Sequence, residues 1–151
     1  MATTLVDIND LFMVLVEDYR LTALYQASVT NFNTYLEGFL MFAIEELDDI
    51  CTQDLTYSIA NQAFTATLTQ RNKNMLAQLM TKYWMEKQVQ DDLQMRVNVT
   101  DHDFKHTSMG ANLKERSEVL NRKKEAISQL LIDYEYANND WDSWDDQLYR
   151  P

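Results

Sequence analysis

The sequence predicts a mainly α protein: a bundle of about four helices with a short β-hairpin, a long projecting C-terminal helix and an extended tail. Three observations carry that expectation. The 151 residues include only two glycines, Gly38 and Gly110, and one proline, Pro151, so the common helix breakers are nearly absent. Four stretches repeat apolar residues at helical spacing, and a single stretch, Asp54 to Leu68, changes to strand spacing. The length suits one domain that buries about two thirds of the surface its unfolded chain exposes. Residues 1–138 are assigned to the helical domain and 139–151 to an acidic, aromatic C-terminal tail.

The first helix is expected near residues 5 to 19, where Leu5, Ile8, Leu11, Phe12, Leu15 and Tyr19 recur at helical spacing behind Thr4 or Asp7 as N-cap. A looser stretch around Tyr25 to Thr30 follows. The second helix, capped near Thr30 or Asn31, carries a broad apolar stripe of Phe32, Tyr35, Leu36, Phe39, Leu40, Ala43, Ile44, Leu47 and Ile50 and should form the core. Gly38 inside it costs about 1 kcal/mol relative to alanine and marks either a close helix approach or simple tolerance.

Between Asp54 and Leu68, the alternation of Leu55, Tyr57 and Ile59, then of Phe64, Ala66 and Leu68, reads as a β-hairpin turning at Asn61-Gln62. A lone hairpin is marginal in water, so it should pack on the helices or pair with a neighbouring chain. Thr67 with Gln70 fits a capping box, and Thr69 is a second candidate cap, for a helix carrying Met75, Leu76, Leu79, Met80, Tyr83, Trp84, Leu93 and Val97. A polar connector, Asp101 to Thr107, leads to the last helix, capped by Ser108 or Asn112. There Leu113, Leu120, Ile127 and Tyr134 stand seven apart, with Leu130 and Leu131 beside them and Lys or Arg at several seam positions. So thin a stripe predicts a helix whose middle is solvated or held against another subunit.

Charge narrows the function classes. The net charge is −11, and no Lys or Arg lies between Arg20 and Arg71, a gap that holds Glu37, Glu45, Glu46, Asp48, Asp49 and Asp54. Nucleic-acid binders carry a basic stripe that releases counterions from phosphates, and this chain has none, so tight nucleic-acid binding is not expected. No apolar run approaches the roughly 18 residues of a membrane span, and the N-terminus lacks the basic and apolar regions of a signal peptide, which predicts a soluble protein that is not exported. Cys51 is alone and is expected to be a buried, inert thiol.

Catalytic chemistry finds no support in the motifs. His102 and His106 stand four apart beside Asp101 and Asp103, a ligand spacing only on a helix, and the connector is expected to be extended or turned. Glu45-Glu46 and Asp48-Asp49 lack the Glu-x-x-His partners of a di-iron bundle. Neither a Gly-rich phosphate loop nor a Gly-x-Ser-x-Gly elbow is present. The expectation is a non-enzyme with no catalytic residue, no cofactor and no metal. In the tail, Trp141, Trp144 and Tyr149 sit among aspartates and read as anchors, either for a partner or for the subunit itself.

The run Met75-Leu76-Ala77-Gln78-Leu79-Met80 with Tyr83-Trp84, then Asp103-Phe104-Lys105, Ser108, Asn112-Leu113-Lys114-Glu115 and Leu130-Leu131-Ile132-Asp133-Tyr134-Glu135-Tyr136, resembles the head-tail adaptor (connector, or neck) proteins of tailed bacteriophages. Asp54-Leu55-Thr56-Tyr57 and Phe64-Thr65-Ala66-Thr67-Leu68 resemble the segment that precedes this helix in the family. The likeness spans roughly residues 4 to 137 and rests on structural patterns. The tail beyond Asn138 is not part of the family's pattern.

The resemblance implies a structural virion protein, assembled in the host cytoplasm and located in the virion neck. It forms a homo-oligomeric ring, commonly of twelve copies, that docks on the portal. There it joins the portal to the next neck, nozzle or tail protein and extends the DNA channel without binding the passing genome specifically. It also implies a portal or neck interface at Phe104, Lys105, Tyr134, Tyr136, Trp141, Trp144 and Tyr149, and an inter-subunit hairpin face at Leu55, Tyr57, Ile59 and Phe64. The alternative from another class is an acidic DNA-mimic regulatory protein that occupies the basic groove of a nucleic-acid-binding partner.

Overall fold

Thr4 opens the first helix, α1 (Leu5–Leu15), through a reciprocal capping box. Its backbone N–H donates to Asp7 Oδ2 at 2.8 Å, while Asp7 N–H donates to Thr4 Oγ1 at 3.4 Å. The computed structural model describes the backbone of residues 2–98 and 106–138, and the side chains of residues 2–94 and 112–138. Within them the order is α1, α2 (Tyr19–Ala27), α3 (Val29–Asp48), β1 (Tyr57–Ser58), β2 (Ala63–Phe64), α4 (Gln70–Asn98) and α5 (His106–Asn138). The protein is mainly α with a small antiparallel hairpin, as the sequence predicts.

The first helix is shorter than expected, and α2 replaces the unassigned stretch behind it. Asp18 causes the break: its carboxylate accepts from Arg20 N–H at 2.6 Å and restarts the chain as an N-cap. Only Leu21 of α2 is buried, so the helix leaves almost no periodic signal in the sequence. Ser28, not Thr30 or Asn31, caps α3 by accepting from Asn31 N–H at 3.2 Å. Thr69 is the cap of α4, accepting from Asn72 N–H at 3.3 Å. Helix α5 begins at His106, so the end of the polar connector is already helical.

The core lies where α1 and α3 pack on the first half of α4. Leu5, Ile8 and Phe12 of α1, Leu36, Leu40, Ala43 and Leu47 of α3, and Leu76, Leu79 and Met80 of α4 are all fully buried. Each of the larger side chains contributes about 1.5–3 kcal/mol of apolar burial. Phe12 meets Trp84 edge-on at 6.4 Å between centroids, tying α1 to the middle of α4. Gly38 is not a site of close approach: a Cβ there would meet nothing within 4 Å.

The hairpin does not need a neighbouring chain. Tyr57 pairs with Phe64 and Ser58 with Ala63, and the turn ends at Gln62, whose φ of 48° is left-handed. The chain's own N-terminus lies along the other edge of β2, with Phe64 N–H donating to Thr3 O at 2.8 Å and Leu5 N–H to Gln62 O at 2.8 Å. Leu55 and Phe64 are each 2 % exposed and belong to the subunit's own core. Their assignment to an inter-subunit face is therefore corrected; Tyr57 is half-buried and only Ile59 is open to solvent.

Helix α5 folds back along α4 as an antiparallel hairpin, so its middle rests on its own subunit. Leu120, Ile127 and Tyr134, three of the four heptad positions of the sequence pattern, are its buried residues among those described, and Leu113 is half-buried. Pairs between Arg116 and Asp92 and between Lys124 and Glu86 zip the two helices, and Lys123 Nζ donates to Gln78 Oε1. The seam cations thus find partners on α4. Burial pushes the Lys123 ammonium below its usual value.

Candidate assembly surface

Two regions of this frame are built for contact in different senses, one closed and one open. The closed region is a polar clasp at the lower end of α5. Tyr134 is 2 % exposed and donates its hydroxyl to Asn72 Oδ1 at 2.7 Å, while its oxygen lies 3.3 Å from Cys51 Sγ. Asn72 in turn donates to Gln53 Oε1 at 2.6 Å, and the Arg71 guanidinium sits 4.8 Å from the Tyr134 ring centre. Burial, with the Cys51 thiol adding to it, raises the Tyr134 phenol above its ordinary value. The clasp joins α5, the start of α4 and the segment after α3. Cys51 is half-buried rather than buried.

The open region is the far half of the α4–α5 hairpin. Among the described residues from Lys82 to Val119, none is buried. At the base of this arm, a groove of about 710 Å³ runs between the α1–α2 junction (Glu17, Asp18, Tyr19, Arg20), α4 (Trp84, Met85, Gln88, Val89) and α5 (Asn112, Glu115, Arg116, Val119). Of its lining residues, Tyr19 is 86 % exposed and Val119 is 47 % exposed. Its rim carries both charge signs, and Asp18 is already engaged as the cap of α2.

A third feature is the outer side of α3. Met41 and Phe42 are exposed, as are Glu45, Asp48 and Asp49. Glu46, beside them, accepts from Tyr83 Oη at 2.7 Å and pairs with Lys82. Glu37 likewise accepts from Tyr57 Oη at 2.7 Å. Burial first, and the adjoining carboxylates second, push both phenols well above the ordinary tyrosine value.

Of the portal or neck interface residues read from the sequence, Tyr134 and Tyr136 are the two that the structure describes. Tyr134 is taken up by the clasp, so its assignment to an exposed docking face is corrected. Tyr136, one half-turn on, is 61 % exposed. Phe104, Lys105, Trp141, Trp144 and Tyr149 lie outside the described residues, as does His102; His106 is the first residue of α5. Among the described residues, no three His, Cys, Asp or Glu side chains gather closely enough to hold a metal ion. No helix among them is long and apolar enough to cross a membrane.

Sequence reasoning missed the groove. Trp84 falls on the same helical stripe as the buried Leu76 and Met80 of α4, and nothing in that periodicity says where the covering helices stop. Only α2, which the pattern concealed, reveals that Tyr19 and Arg20 form the opposite wall. The chain matches no protein-family model, no curated protein and no solved structure.

Proposed function

We propose that the chain is a non-enzymatic, ring-forming head-tail adaptor. It docks on a portal and joins the portal to the next neck or tail protein. The observation that carries this reading is the arm: two long antiparallel helices with no buried side chain among the described residues from Lys82 to Val119, next to an open groove of mixed polar and apolar lining. Helices so sparsely covered gain little from their own packing and are completed by contact with another chain. The resemblance in the Met75–Trp84 and Leu130–Tyr136 runs supplies the class of assembly, and in the fold these runs are the spine of α4 and the clasp segment of α5. The exposed carboxylates on α3 suit a conduit for DNA, because they repel phosphates instead of holding them.

Co-sedimentation of the purified chain with portal assemblies tests the proposal. Stoichiometric recovery with the portal supports it, and a chain that stays in the supernatant overturns it. A monomer in free solution fits the reading, since the portal acts as the template for the ring.

One observation favours the second reading, a DNA mimic: Glu45, Asp48 and Asp49 are exposed together at the end of α3. Recovery of a polymerase, repressor or nuclease from a host lysate, with no binding to portal, would select it.

A further inference from the structure

On α4 and α5 the core ends at one level. Among the described residues, Met80 and Thr81 are the last buried residues of α4, and Leu120 is the first buried residue of α5. On the body side of that level both helices are anchored, α4 by Met75, Leu76 and Leu79 and α5 by Ile127 and Tyr134. Lys82, Tyr83 and Trp84 carry the attachment one turn further: Lys82 pairs with Glu46, Tyr83 donates to it, and Trp84 meets Phe12.

Past Trp84 the means of attachment change. Among the described residues, the ion pairs there run between the two helices, Arg116 to Asp92 and Lys124 to Glu86, or along one of them, Lys87 to Asp91. All three pairs are partly open to water, where an ion pair contributes little and is screened by salt. The apolar side chains are sparse: Val89 and Leu113 are half-buried, and Leu93 and Val119 are exposed. Each helix runs about four turns beyond this level, a length at which an isolated helix is marginal in water.

We propose that the outer parts of α4 and α5, residues 85–98 and 106–119, are a second and weaker folding unit, which opens and closes as one piece while the body stays folded. The pairs Arg116–Asp92 and Lys124–Glu86 are its zipper, so its closing depends on salt. The device bears on binding, because Asn112, Glu115, Arg116 and Val119 form one wall of the groove. The closed unit completes the groove and the open unit dismantles it. Any partner that uses the groove therefore binds the closed fraction alone, and the strength of the zipper sets that fraction. The device belongs to the free chain and stands whether or not the chain is an adaptor.

Hydrogen exchange of the full chain in low salt, read by mass spectrometry and corrected for the intrinsic rate of each amide, tests it. Protection of residues 87–97 and 109–118 is expected to be uniform to within about threefold and at least about 100-fold below that of residues 73–81 and 121–134. Protection equal to that of the body overturns the second unit. So does protection that climbs steadily from the arm toward the body, which is the mark of frayed helix ends. Raising the salt to about 0.5 M, or Asp92→Asn, should speed exchange in the arm about threefold and leave the body unchanged. An equal change in both regions, or none in either, overturns the zipper. Asp92→Leu combined with Arg116→Leu puts apolar contact where the pair stood and should slow exchange in the arm at least about tenfold. Exchange that stays as fast as in the unaltered chain overturns the claim that the seam controls the opening.

Discussion

Replacing Tyr134 by Phe removes one oxygen from the clasp and nothing else, which makes its cost calculable. The ring still fills the seam between α5 and α4, so no cavity forms. Asn72 keeps its bond to Gln53, but its Oδ1, on a residue 2 % exposed, loses the 2.7 Å bond from the Tyr134 hydroxyl. A net hydrogen bond is worth about 0.5–1.5 kcal/mol, and a buried acceptor left without a donor costs about 1–3 kcal/mol. The two measures overlap, so Tyr134→Phe is expected to destabilise the chain by about 1–2 kcal/mol. With a urea dependence of about 2 kcal/mol per molar, the unfolding midpoint falls by about 0.5–1 M. Tyr19→Phe, at a position 86 % exposed, serves as the control and shifts the curve by less than about 0.5 kcal/mol. A double-mutant cycle with Asn72→Ala should show coupling of at least about 0.5 kcal/mol. An unchanged midpoint for Tyr134→Phe, or strict additivity in the cycle, would refute the claim that the clasp pins α5 to α4.

Gly38→Ala is expected to stabilise the chain by about 0.5–1 kcal/mol, because the site is helical and an added Cβ meets nothing; a loss of stability in urea melts contradicts this. Thr4→Ala should cost about 1 kcal/mol through the lost capping box, read from the same melts. Tyr57 and Tyr83 are raised in the folded state above the ordinary value of 10, so the stability they contribute is complete below pH 10 and is lost as pH climbs further. Ultraviolet titration of tyrosinate should show a late class of phenols that shrinks in Tyr83→Phe, and titration of all phenols together near pH 10 would contradict it. Truncation after Asn138 should leave a folded helical protein, by circular dichroism, that co-sediments more weakly with portal. Undiminished attachment removes the role given to Trp141 and Trp144.

Much of this fold can be read from composition and spacing, and its departures have local causes. The stripes of α3 and α4 are legible because one face of each is buried along most of its length; Leu36, Leu40 and Leu47 repeat because they meet α4. Helix α2 is hidden because a helix that buries only Leu21 has no stripe, and its start is encoded by the cap Asp18 instead. The seven-residue spacing of Leu120, Ile127 and Tyr134 locates the α5 seam correctly. It cannot say whether the surface under the seam belongs to the same chain, which is why α5 reads as projecting until Asn72 and Cys51 are seen against Tyr134. Leu55 and Phe64 show the same ambiguity: alternation marks a buried face without naming what buries it. The groove was illegible for a related reason, since it exists only where α4 and α5 outlast the helices that cover them.

The central claim is that the chain works as a ring built on a portal, and two-dimensional class averages of portal assemblies incubated with the purified full-length chain test it most directly. The account predicts an added ring of density below the portal, carrying its rotational symmetry and sedimenting with it. Portals that keep their unmodified outline, with the chain remaining in solution at saturating concentration, would contradict it.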